Sequence, residues 1–182
     1  MKKYVLSVAL VAGLFAGATQ AQDGVNIARN SSASYIYLDR IGDPMVWERD
    51  ADCSRFSDGK RDDKNSVPSV WGPNMTKAMR LRYDFKQEVH PTSVRIVWMF
   101  SGNPGHVMDR VRVLSGNDPA SMGEVGVLEV KPSGKRSTII DVPLTGAAGR
   151  YLEISMEQDK NPSSKMFSIS EIEVYAPKSE RD

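Results

Sequence analysis

The stretch Met79-Arg80-Leu81-Arg82-Tyr83-Asp84-Phe85 decides the fold class, because apolar and charged side chains alternate along it without a break. Successive side chains of a β-strand point to opposite faces, so this period of two predicts a strand with one buried face. In the segment around Trp98, the alternation assigns Trp98 to the core face of the strand and Val97 and Met99 to the opposite face. The same period recurs in four further segments: Val94, Ile96, Trp98 and Phe100; Val111 and Val113; Leu152, Ile154 and Met156; Ile172 and Val174.

Clusters of Gly, Pro, Asn, Asp and Ser separate these segments. Glycine tolerates positive φ and proline cannot donate to a sheet, so such clusters mark chain reversals. They lie at residues 42–44, 72–74, 101–105, 115–123, 132–134, 145–149 and 159–164. Short strands at this spacing, without a convincing helical segment, predict an all-β sandwich.

Three motifs indicate a more specific fold. They are Asn26-Ile27-Ala28 leading to Ala33-Ser34, then Phe56-Ser57-Asp58-Gly59, and finally Glu171-Ile172-Glu173-Val174-Tyr175. Their order and spacing resemble the discoidin, or coagulation factor V/VIII type C, domain of the galactose-binding-like superfamily, and in particular its carbohydrate-binding-module branch. The resemblance runs from Asn26 to Tyr175. It implies an eight-stranded antiparallel jelly-roll β-sandwich and a binding module rather than a catalyst.

The N-terminus reads as a secretory signal peptide. Lys2 and Lys3 precede an apolar run over residues 4–15, and small residues follow up to Ala21. The run is shorter than the roughly 20 residues that a transmembrane helix needs. We therefore expect a signal peptide at 1–21, a single domain at 22–182, and a secreted or periplasmic location, with cleavage after Ala18 or Ala21.

Composition narrows the class of partner. Without its first 21 residues the chain has 22 basic and 23 acidic side chains, so its net charge is about −1. Nucleic-acid binding usually requires a basic surface, so we expect no nucleic-acid partner. The single cysteine, Cys53, cannot form an internal disulfide. It is either a buried small hydrophobe or a thiol that pairs between chains.

The resemblance also implies a structural calcium ion. Calcium takes six to eight oxygen ligands, and in the sugar-binding branch these lie around the Asp-Gly turn and on the last strand. Carried over by position, the ligands are Asp58, Asp62 or Asp63, Ser66 and Glu171. Lys60 departs from the pattern, because an ammonium group there would compete with the metal. The alternative is that Asp58 caps a turn and Glu171 is solvated or paired with an arginine.

The family binds its ligands through loops at one end of the sandwich, which correspond here to residues 39–50, 60–74 and 101–107. A sugar offers an apolar face for an aromatic ring and hydroxyls for planar donors. The candidates of the right type are Trp47, Arg61, Trp71, Asn103, His106 and Arg110. Trp71 also matches a tryptophan that the family uses for packing, and Arg110 could belong to a solvated strand face.

Catalysis finds little support, and we predict that the protein is not an enzyme. The chain has two histidines, His90 and His106, and no Gly-x-Ser-x-Gly nucleophile motif. Two functional hypotheses remain. The first is a carbohydrate-binding module that recognises a glycan or glycoconjugate, and the second is a protein-interaction or cell-adhesion module that binds no sugar.

The signal-peptide assignment makes a direct prediction. Mass spectrometry of the exported protein should find an N-terminus at Gln22 or Thr19. Recovery of a chain that retains Met1 in the membrane fraction would contradict it.

Overall fold

A computed structural model describes residues 24–36, 54–59, 61, 69–71, 78–99, 107–158 and 166–178. Ten strands form within these ranges: β1 Val25–Asn26, β2 Ser32–Ile36, β3 Ser69–Trp71, β4 Ala78–Val89, β5 Ser93–Met99, β6 Arg110–Gly116, β7 Gly123–Glu129, β8 Ser137–Pro143, β9 Gly149–Glu157 and β10 Met166–Ala176. Two 3₁₀ turns, Ala28–Asn30 and Ser54–Ser57, are the helical elements of the described part.

The strands form two sheets. Each has five strands. The sheet with the longer strands, which we call the larger sheet, has the order β2-β4-β9-β6-β7, and the smaller sheet has the order β1-β10-β5-β8, with β3 also paired to β10. Every pair among the described strands is antiparallel. The eight strands of five residues or more make up the sandwich, with β1 and β3 as short additions along β10. The eight-stranded all-β prediction is confirmed.

The core lies between the inward faces of the two sheets, as the period of two predicts. Met79, Leu81 and Tyr83 of β4 are buried, as is Trp98 of β5. From the segment before β3, Phe56 is also fully buried. Trp98 is therefore a core residue, as expected.

The outward side of the smaller sheet differs from the prediction. Val97 and Met99 belong to the face that the alternation assigned to the exterior, yet their exposed fractions are 4% and 0%. Glu171 and Glu173 of the adjacent strand β10 are buried as well. This part of the smaller sheet is thus withdrawn from solvent on both faces, which explains the nearly continuous apolar run from Val94 to Met99.

Charged side chains cover the outward face of the larger sheet. Glu153 of β9 is at its centre with a side-chain exposure of 2%, and Arg80 and Arg82 of β4 pair with its two oxygens at 3.3 and 2.7 Å. On the other side of β9, Arg110 and Arg112 of β6 both reach Glu157, at 3.2 and 3.5 Å. We call this set the outer-face ion network.

No helix in the described part of the chain has the length and apolarity needed to cross a membrane.

The ion network predicts a stability difference between its buried and exposed acids. Replacing Glu153 by Gln leaves two partly buried guanidinium groups without their counter-charge, which should cost about 3 kcal/mol and lower Tm by roughly 6–12 °C. Glu124, whose side chain is 49% exposed beside Arg112, is the matched control. Glu124→Gln should change Tm by less than about 3 °C, because exposed pairs contribute little. Equal effects in differential scanning calorimetry would contradict this assignment.

Candidate functional site

The antiparallel registers bring one set of strand ends to the same end of the sandwich. Ala78 pairs with Glu157, which also pairs with Arg110, and Met99 pairs with Ser137. We call this the loop end. Segments that connect the strands here follow β2, β5, β7 and β9 and precede β4, β6, β8 and β10.

Three of the predicted ligand residues belong to these connecting segments. Trp47 follows β2, while Asn103 and His106 stand between β5 and β6. All three lie outside the described residues. Their assignment to the ligand site stays a prediction, and the topology supports it by joining both segments to strands that end at the loop end.

The connection from β7 to β8 at the loop end is basic, which sequence reasoning did not single out. Lys131, Lys135 and Arg136 are exposed in the connection from β7 to β8. Met108 and Asp109, which lead into β6, are by contrast buried. The Val130 amide donates to the Asp109 carbonyl at 2.8 Å and fixes this connection against the start of β6.

Arg110 begins β6 at the loop end, but its guanidinium is engaged by carboxylates. It bonds Glu129 of β7 at 2.6 Å and Glu157 of β9 at 3.2 Å, with a side-chain exposure of 27%. The position agrees with the prediction for a ligand residue. The N–H groups of its guanidinium, however, donate to the carboxylates of Glu129 and Glu157.

Arg61 lies elsewhere. It donates through Nε and Nη2 to Glu173 on the outward side of the smaller sheet, at 2.7–3.0 Å. The Tyr175 hydroxyl donates to the same carboxylate at 2.6 Å, and the Arg95 guanidinium lies 5.8 Å from the centre of the Tyr175 ring. The hydrogen bond to Glu173 raises the pKa of Arg61. Because Glu173 lies in the half of β10 that runs away from the loop end, this arginine contributes to a polar cluster on the sheet rather than to the connecting segments.

Trp71 is the last residue of β3 and pairs with Met166, the first residue of β10. The pairing brings its backbone to the loop end. The structure does not describe its side chain, so both assignments, packing and ligand contact, stay predictions.

Glu171 is the most perturbed of the predicted metal ligands. It is fully buried, and its Oε1 accepts a 2.9 Å hydrogen bond from the Gly59 amide. Its other oxygen, Oε2, has no hydrogen-bond partner among the described residues. Burial raises the pKa of Glu171 to about 7, the amide of Gly59 opposes the shift, and the nearby charge of Asp58 adds to it.

Asp58 belongs to the turn that Glu171 contacts. Its backbone carbonyl accepts a 3.1 Å hydrogen bond from Nη2 of Arg29, and the next residue, Gly59, has φ +81°. That conformation favours glycine, which accounts for the Asp-Gly pair. The other expected ligands, Asp62, Asp63 and Ser66, lie outside the described residues.

The chemistry of this turn suits a hard cation in part. Two carboxylates of like charge approach each other, and one carboxylate oxygen is buried without a donor, an arrangement that a calcium ion would relieve. Among the described residues, however, no three His, Cys, Asp or Glu side chains form a metal-binding group. The calcium expectation therefore rests on Glu171 and Asp58 and stays a prediction.

Known structures share this architecture. A chitosan-binding module from a Paenibacillus sp. IK-5 chitosanase/glucanase superposes with a TM-score of 0.57 at 17% identity, over 84% of this chain and 99% of that one. A family 32 carbohydrate-binding module from C. perfringens NanJ in complex with galactose gives 0.57 at 16%, over 82% and 97%. A Streptococcus pneumoniae fucose-binding module gives 0.55 at 20%, over 84% and 96%.

No protein-family model matches the sequence, and no curated protein matches it. The similarity to the three solved structures shows that the chain has the β-sandwich fold of these carbohydrate-binding modules, which is the fold that the three sequence motifs predicted.

The raised pKa of Glu171 predicts a pH dependence. The native state holds this proton more tightly than the unfolded chain, where the pKa is near 4.5, so the free energy of unfolding should fall as pH rises from about 4.5 through 7. Glu171→Gln cannot ionise and should remove this contribution. Thermal melts at pH 5 and pH 8 with a metal chelator present should show wild type losing stability relative to the variant. The same difference in Tm between wild type and Glu171→Gln at both pH values would contradict this prediction.

Proposed function

We propose that the protein is a non-catalytic carbohydrate-binding module that holds a glycan at the loop end of its sandwich. The observation that carries the proposal is the convergence of the strand ends, because it gathers the segments containing Trp47, Asn103 and His106. Solved structures with this fold include modules described as binding chitosan and fucose and one in complex with galactose.

The residue types at the loop end suit sugar chemistry. An indole presents a flat apolar face to the C–H groups of a pyranose ring, and amide, imidazole and guanidinium groups donate to its hydroxyls. The exposed cations Lys131, Lys135 and Arg136 add positive charge at the same end. A glycan that carries a carboxylate would gain from this charge.

The described geometry gives no support to a catalytic role. His90, one of the two histidines, is exposed in the connection from β4 to β5, at the opposite end of the sandwich. Its Nε2 faces Glu88 at 3.6 Å. His90 is therefore remote from the loop end, to which the proposal assigns the glycan.

Two further parts of the proposal concern location and metal. We propose that the signal peptide exports the protein, which places its glycan partner at a cell surface or in an extracellular or periplasmic polysaccharide. We also propose that a calcium ion binds Oε2 of Glu171, with Asp58 and the acids that follow it completing the oxygen ligands. Such an ion would neutralise the paired carboxylates and support the turn structurally.

A glycan array tests the proposal, with galactose, N-acetylgalactosamine, fucose, chitosan fragments and uronic acids as probes. The best glycan should then be measured by calorimetry against Trp47→Ala, His106→Ala and Arg110→Ala. At least one of the three should weaken binding by about tenfold or more, which corresponds to about 1.4 kcal/mol, because small interfaces concentrate their energy in few residues.

The control is His90→Ala, the same substitution at the opposite end, which should leave affinity unchanged. A strong effect of His90→Ala with three silent loop-end variants would contradict the site. Absence of binding to every glycan would instead favour the protein-interaction and adhesion hypothesis.

A further inference from the structure

The Asp58–Gly59 turn already has a cation beside it. Arg29 projects from the 3₁₀ turn Ala28–Asn30, and its Nη2 donates to the Asp58 carbonyl at 3.1 Å. A Cβ built on Gly59 would overlap the guanidinium group, so Arg29 fills the space directly over the glycine. Gly59 is thus favoured by its positive φ, and a side chain at this position would have to displace the Arg29 guanidinium.

The guanidinium also acts on the buried acid. Arg29 is close enough to favour the charged form of Glu171 and thereby opposes the effect of burial on its pKa. The turn is consequently held from two sides: Glu171 accepts the Gly59 amide proton at 2.9 Å, and Arg29 donates to the preceding carbonyl.

We propose that Arg29 is a resident cation of the Glu171 site and competes with calcium for it. This proposal rests on the calcium part of the proposed function, and it assigns to Arg29 the control of the calcium affinity of the Glu171 site. Backbone carbonyls are typical calcium ligands, and the carbonyl of Asp58 is the one that Arg29 engages. A positive charge at hydrogen-bond distance from a prospective ligand repels a divalent ion strongly, because two charges about 4 Å apart still interact by several kcal/mol at an effective dielectric constant near 20.

Two consequences follow for the wild-type protein. Without calcium the turn keeps its native form, since Arg29 partly compensates Glu171 and Asp58. When calcium binds, it must displace the Arg29 guanidinium, and the free-energy cost of this displacement lowers the calcium affinity. Arg29 therefore makes the fold less dependent on the metal than a turn without this arginine.

The experiment compares thermal melts of wild type, Arg29→Gln and Glu171→Gln after chelation and then across a CaCl₂ titration. In chelator, Arg29→Gln should melt below wild type. Calcium should raise the Tm of Arg29→Gln more than that of wild type, with an apparent Kd lower by about tenfold or more in calorimetry. Glu171→Gln should not respond to calcium.

Lys131→Gln is the matched control, because it removes one positive charge from an exposed position between β7 and β8, neither of which pairs with β10. It should respond to calcium as wild type does. Equal calcium responses of wild type and Arg29→Gln would overturn the competition while leaving the calcium site standing. A lack of response in both would overturn the calcium site as well. Neither result bears on glycan binding, which the array measures independently.

Discussion

The structure depends on one strand, β10, which is the last strand in the chain. Several segments from the N-terminal part of the chain pair with it or form hydrogen bonds to it. Along one edge β10 pairs with β1 near its C-terminal end and with β3 near its N-terminal end. Between these pairings the Ile27 amide donates to the Val174 carbonyl, Ser57 Oγ donates to the Ile172 carbonyl, and the Gly59 amide donates to Glu171. The other edge pairs with β5. Until β10 is in place, these N-terminal segments therefore lack the partners that order them, so the fold relies on contacts of very long sequence separation.

This constraint explains why acids stand on a buried strand. Glu171 and Glu173 lie on the outward side of β10, and each accepts a hydrogen bond from a segment that precedes β3. Glu171 accepts one from the Gly59 amide, and Glu173 accepts one from Arg61. Among the described residues no side chain donates a hydrogen bond to Glu171, and burial raises its pKa to about 7. A nearby cation favours the charged form of such a carboxyl, and Arg29 and calcium are the two that we propose for it.

Part of this could be predicted from the sequence. The period of two identified β4, β5, β6, β9 and β10, because each has one face in the core. The edge strand β7 gave no such signal, since side chains on both its faces are at least partly exposed, including Val127 at 51%. In β8 the apolar Ile139 lies on the exposed face, also at 51%, next to the buried Ile140 and Val142, and this obscures the alternation. The pattern also misassigned Val97 and Met99, because burial on the second face of a sheet depends on what covers it and not on the strand itself.

For the candidate site, too, some residues could be predicted from the sequence and others could not. The motifs pointed to Asp58 and Glu171 because the family resemblance implies calcium ligands in its Asp-Gly turn and on its last strand. Arg29 and the cluster of Arg61, Glu173 and Tyr175 could not be found, since long side chains meet these acids only after distant segments have paired. Arg110 begins β6 at the loop end, but its ion pairs with Glu129 and Glu157 could not be predicted, because they depend on the register of three strands.

The central claim is that ligand binding belongs to the loop end, while the charged sheet face and the opposite end are structural. Backbone NMR of the isotopically labelled protein, titrated with the best glycan from the array, tests it most directly. The account predicts shift changes concentrated at the strand ends Ile36, Ala78, Met99 and Arg110 and in the segments beyond them. Changes centred on Glu153 of the outer face, or on Glu88 and His90 at the opposite end, would contradict it.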